Sequence, residues 1–202
     1  MLRDIIIVSF MATILVVQEE ALSFIPNFQF TFLLIITYSV VFGFKRTFFI
    51  ITIHVILDNI FMGTFNLFAL CPMFFSYIFI AGVISLFKIT DAIKLAFLSI
   101  LFSLVYAISF IPFGLYILDV KLEQYIIADI PYDLILICTN FLLVLWVYEP
   151  LRRALNMLLA NYEMNDCYKE IDQEDISNQE VNYENKWYFK KETYIIVWNF
   201  PT

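Results

Sequence analysis

The chain has 202 residues, of which 62% are hydrophobic and only 15% charged, with a formal net charge of −7. A soluble domain of this size needs more polar surface, so the composition predicts a polytopic integral membrane protein. Four glycines, with no phosphate loop, Walker-type motif, basic patch or zinc-ligand spacing, argue against nucleotide hydrolysis and nucleic-acid binding.

The first apolar segment, residues 5–24, follows Arg3 and has the look of a secretory leader. Gln18-Glu19-Glu20 stands where a small-residue cleavage site belongs, so it is read as a retained helix. Five more segments follow, at residues 30–44, 47–64, 67–87, 93–113 and 131–148. Each is read as crossing a hydrocarbon core of about 30 Å at about 1.5 Å per residue. The expected fold is therefore an all-α bundle of six transmembrane helices over residues 1–160. Residues 161–202 are expected to form an acidic, flexible cytoplasmic tail. From Glu163 onward nine acidic residues face four lysines, and an aromatic run, Trp187–Phe200, closes the tail. Cys71, Cys138 and Cys167 form neither a disulfide framework nor a ligand cluster.

Six spans put Arg3, Lys45, Arg46, Lys88, Lys94, Arg152 and Arg153 on one side and leave Lys121 on the other. The positive-inside rule then places both termini in the cytoplasm of a multi-pass cell-membrane protein.

Polar side chains inside such segments carry the functional information, because each carboxylate at a helix centre costs about 2.5–3.5 kcal/mol on insertion. Gln18, Glu19 and Glu20 lie in the first helix, His54, Asp58 and Asn59 in the third, and Asn140 in the sixth. His54 and Asp58 share a face by their i, i+4 spacing. They are either a structural pair or part of an outward-facing pocket. Glu19 and Glu20 are about 100° apart on a helix, so only one of them faces a given spot.

The run Glu19-Glu20-Ala21-Leu22-Ser23-Phe24-Ile25-Pro26-Asn27-Phe28-Gln29-Phe30-Thr31 resembles the segment joining the first two helices of substrate-binding S components of energy-coupling factor (ECF) transporters. His54-Val55-Ile56-Leu57-Asp58-Asn59 and Gly63-Thr64-Phe65-Asn66 are similar to that family's third helix and the loop after it. The resemblance spans residues 5–153. It implies a non-enzymatic subunit, without cofactor, that captures a vitamin or related micronutrient under a loop at residues 23–29. It also implies a T component and two cytoplasmic ATPases as partners. The expected solute ligands are Glu20, Asn27, Gln29, His54, Asp58, Asn59 and Asn66. Carboxylates and amides at this density suit amino or ring N–H donors. A thiamin-like or pyrimidine compound, a deazapurine and a corrinoid precursor fit alike. The family's small residues spaced by four on helix one are only approximated, by Ser9 and Thr13.

Two other classes compete. An intramembrane CAAX-protease-like endopeptidase shares the paired glutamates and a histidine, yet no arginine follows the glutamates and His54 is the single histidine. A non-catalytic structural membrane protein is the third reading, at odds with the cost of enclosed carboxylates.

Overall fold

Long apolar runs without water-facing breaks leave the backbone only its own hydrogen bonds, and helices result. The computed structural model describes residues 2–22, 24, 29–61, 63, 66–117, 119 and 121–181, with side chains described within residues 4–160 except Phe113. These residues form α1 (Leu2–Leu22), α2 (Thr31–Phe61), α3 (Leu67–Phe87), α4 (Ala92–Tyr116) and α5 (Leu122–Val181). All five contain a stretch long and apolar enough to cross a membrane, which in α5 covers Leu122–Ala160. The chain divides into two compact units, Met1–Asn156 and Met157–Thr202. The Trp187–Phe200 run lies outside the described residues.

The expectation of six spans is corrected to five. Segments 30–44 and 47–64 are two helical limbs that meet at a kink, with no loop at Lys45-Arg46 between them. They belong to one element, α2, whose non-helical residue is Gly43 (φ 75°, ψ 173°). The limb before that glycine, residues 31–42, rises only about 18 Å, well short of a hydrocarbon core. Residues 31–39 are all buried. A helix apolar on every side belongs inside a bundle rather than against lipid. Thr37 and Ser39 donate to the carbonyls of Leu33 and Ile35 at 2.7 and 2.6 Å, which lets their hydroxyls sit there.

At Gly43 the chain turns back. Thr31 Oγ1 and His54 Nε2 lie 3.3 and 3.2 Å from the same atom, Glu19 Oε2, whereas a straight helix would hold residues 31 and 54 about 35 Å apart. Arg46, just past the turn, instead reaches Asp4 at the opposite end of α1, with Nη2 at 2.8 Å. So α2 starts and finishes at the Glu19 end of the bundle, and this lets five helices return residues 4 and 152 to a common end.

That common end gathers cations. Lys88 lines a cavity with Gly43 and Phe44, and Thr90 O accepts from Tyr148 Oη at 3.1 Å and Arg152 Nη1 at 3.3 Å. Lys45, Arg46, Lys88, Lys94, Arg152 and Arg153 therefore lie toward one end. Lys121 is at the other, a whole helix away.

Local chemistry sets the remaining boundaries. Asn66 caps α3, its Oδ1 accepting from Phe68 N at 3.0 Å, and Lys88 ends that helix in a left-handed conformation (φ 50°, ψ 41°). Asp91 Oδ1 accepts from Ile93 N at 3.1 Å at the start of α4. The sixth expected segment begins earlier than its proline suggested, because Pro131 lies inside α5. α1 buries Ile7, Met11, Ala12 and Leu15, while Ile5, Ile6, Phe10 and Val17 stay exposed, as a lipid-facing stripe requires. α4 meets α5 at Gly114, where an added Cβ would collide with the Tyr125 ring. Gly114→Ala is therefore expected to cost about 1–3 kcal/mol of stability. Gly82→Ala, whose new methyl meets only Phe44 Cε2 at 3.9 Å, should not lower the melting temperature. Thermal melts of the two variants in detergent check the contrast.

Candidate functional site

The turn-back of α2 brings three ionisable side chains together near the end opposite the cations. Glu19 closes the buried stripe of α1, one helical turn beyond Leu15. His54 and Asp58 project from the second limb of α2. The His54 side chain is fully enclosed and that of Glu19 is 11% exposed, with Nε2 and Oε2 3.2 Å apart. The separation suits an ion pair, yet neither ring nitrogen of His54 has an aligned hydrogen-bond partner. The contact is thus electrostatic rather than a directed hydrogen bond. Asp58 is within electrostatic reach of Glu19, His54 and Glu20. It is itself buried, and its Oδ1 has no hydrogen-bond partner.

Polar groups from the start of α2 brace the carboxylate. Thr31 Oγ1 donates to Glu19 Oε2 at 3.3 Å. Gln18 Nε2 donates to Thr31 Oγ1 at 2.6 Å, and Gln18 Oε1 accepts from Phe30 N at 2.9 Å. Gln18 therefore pins the first turn of α2 onto the last turn of α1.

An aromatic wall closes the other side. The His54 ring lies 5.8 Å from Tyr77, tilted by 32°. Tyr77 stacks on Tyr106 at 5.8 Å and 20°, and Phe32 meets both rings edge-on at 5.9 and 5.5 Å. The Tyr77 hydroxyl is buried without an aligned hydrogen-bond partner. Burying such groups unpaired costs about 1–3 kcal/mol each, so the carboxylate, imidazole and phenol are an expensive arrangement for packing alone.

The expected ligand residues divide accordingly. His54 and Asp58 come together; Glu19 contacts His54, while the exposed Glu20 is within electrostatic reach of Asp58. Asn59 is adjacent and buried, but its amide is turned to Val55 O at 2.9 Å and Met73 Sδ at 3.6 Å. Asn66 serves as the α3 cap. Gln29 is half-buried on the connection before α2. Asn27 and most of the loop at residues 23–29 lie outside the described residues. Gln18, Thr31 and Tyr77 were not among the expected ligands. Gln18 stood out as polar within an apolar helix, whereas a tyrosine in the aromatic-rich α3 gives no such mark. Deeper in the bundle, Asn140 Nδ2 donates to Ser103 Oγ at 2.9 Å. That bond ties α5 to α4 and is not part of the cluster.

Chemically, two enclosed carboxylates share one imidazole. Both carboxylates and the imidazole lie beside the stacked phenol rings of Tyr77 and Tyr106. Such a surface suits a small solute that brings a positive charge or N–H donors together with a flat face. No protein-family model matches the chain, and no match was found among curated proteins or solved structures.

Proposed function

We propose that this multi-span membrane protein captures a small solute carrying amino or ring N–H donors, using Glu19, His54 and Asp58 beside the Tyr77–Tyr106 stack. The observation that carries this reading is the unsatisfied Asp58 Oδ1 next to the Glu19–His54 contact. A membrane bundle retains enclosed carboxylates where they do work on a ligand, an ion or a proton. The narrower reading is a substrate-binding subunit of an ECF-type importer, taking up a vitamin or related micronutrient. It rests on the resemblance in residues 19–31, 54–59 and 63–66, and the five-helix architecture departs from the family's six. On that reading a T component and two ATPases supply the energy, and the chain alone accumulates nothing.

The orientation proposed with it sets the cationic end, and both termini, in the cytoplasm. A cysteine placed beside Lys121 should react with an impermeant maleimide in intact cells, and one beside Arg46 should not. Labelling at Arg46 would reverse the orientation.

Mass spectrometry of small molecules retained through purification in detergent tests the function itself. A solute should accompany the wild-type chain and be missing from the Glu19→Gln/Asp58→Asn double variant. The same molecules on both preparations would remove the cluster from solute binding.

A further inference from the structure

A second feature lies at the cationic end, far from the acidic cluster. Between α1 and the second limb of α2 runs a groove of about 550 Å³, with Asp4, Lys45 and Arg46 at its rim and Ile5, Phe49 and Ile53 along it. Arg46, Phe49 and Ile53 follow one another at i+3 and i+4 spacing, so they share one face of α2. The charged groups are confined to the end of the groove. Its apolar length, from Arg46 to Ile53, is about 10 Å. Ile5 and Phe49 are 54% and 51% exposed, so the groove opens sideways, toward what would be hydrocarbon.

The charges do not cancel. Asp4 Oδ1 takes Arg46 Nε at 2.9 Å and Nη2 at 2.8 Å, which leaves the Nη1 donors of the guanidinium outside that fork. Lys45 is exposed and has no carboxylate partner among the described residues. Among the described residues, two cations and one carboxylate leave one net positive charge at the mouth of an apolar channel. A phosphodiester with acyl chains matches both parts: one negative charge at the interface level and hydrocarbon below it. A soluble anion would leave the apolar length empty, and a neutral lipid would leave Lys45 unmatched.

We propose that this groove seats one anionic phospholipid of the surrounding bilayer, with its phosphate on Lys45 and Arg46 and an acyl chain along Phe49 and Ile53. The site is independent of the solute cluster and stands whether or not that cluster binds a solute.

Native mass spectrometry of the full chain in detergent, offered equal dioleoyl phosphatidylglycerol and dioleoyl phosphatidylcholine, tests it. The wild-type chain should retain a single phosphatidylglycerol in about fivefold preference, the scale expected of one net positive charge at a membrane surface. Lys45→Gln/Arg46→Gln should bring the two lipids to parity. Ile5→Trp keeps both cations and the Asp4 contact but fills the groove, so it should do the same without disturbing the ion pair. Lys94→Gln/Arg153→Gln removes as much charge from the same end outside the groove and should keep the preference. Retention of the preference in either groove variant, or its equal loss in the Lys94/Arg153 variant, would overturn the proposal. Displacement of the lipid by excess inorganic phosphate would also overturn it, because the apolar groove would then contribute nothing.

Discussion

Replacing Gly43 with alanine should lower the stability of the detergent-purified protein by about 1–3 kcal/mol, the usual cost of forcing a side chain into a glycine-only backbone region. The residue holds φ 75° and ψ 173° between the two limbs of α2. Nothing lies within 4 Å of where its Cβ would stand, so the expected loss comes from the backbone and not from a clash. That distinction can be measured. Asparagine, which tolerates left-handed helical backbone, should not rescue the position, because ψ near 180° lies outside that region. Gly82→Ala provides the baseline for a methyl added without positive φ. A melting temperature unchanged in Gly43→Ala, or restored in Gly43→Asn, would mean that the turn does not have this geometry. The functional consequence is direct. The turn returns His54 and Asp58 to Glu19, so a variant that survives with a relaxed turn should also bind solute less tightly.

This turn also explains which parts of the fold the sequence reveals. Continuous apolar runs define membrane spans strongly, because lipid offers the backbone no alternative partner. Segments α1, α3 and α4 accordingly begin and end close to their expected positions. The reversal in α2 is harder to read. Lys45-Arg46 looks like a water-facing loop, yet the reversal is made by one preceding glycine, and an isolated glycine within a helical pattern carries little information. Nor does the sequence mark residues 31–42 as enclosed, since an apolar helix reads the same against protein as against lipid. Pro131 misled in a different way. It looked like a helix start, but α5 begins at Leu122, so Glu123 and Asp129 are carried into the helix. At the site, the i, i+4 relation of His54 and Asp58 was legible. The choice between Glu19 and Glu20 needed the buried face of α1, which Met11, Ala12 and Leu15 define once α2 packs on it. Asn66 shows that an amide near a pocket loop serves equally well as a helix cap.

The two carboxylates of the cluster should respond differently to neutralisation, and the difference separates binding from scaffolding. Asp58→Asn keeps the shape and removes the charge of a buried group whose Oδ1 has no partner in the protein. Removing a poorly compensated enclosed charge does not weaken the bundle, so the melting temperature should hold or rise. Solute affinity should fall by about 1.5–3 kcal/mol, the range of a charge-assisted hydrogen bond, which is roughly a 10- to 150-fold rise in Kd. Glu19→Gln removes an oxygen that already faces His54 at 3.2 Å and accepts from Thr31 at 3.3 Å. That side chain also helps hold the first turn of α2 against α1, so both the melting temperature and the affinity should drop. Isothermal titration with the co-purifying solute, run beside thermal melts of both variants, resolves the pattern. If Asp58→Asn lowered the melting temperature and left the affinity intact, the residue would be a structural partner of His54. The solute would then have to be sought on the Glu19 and Tyr77 side of the imidazole.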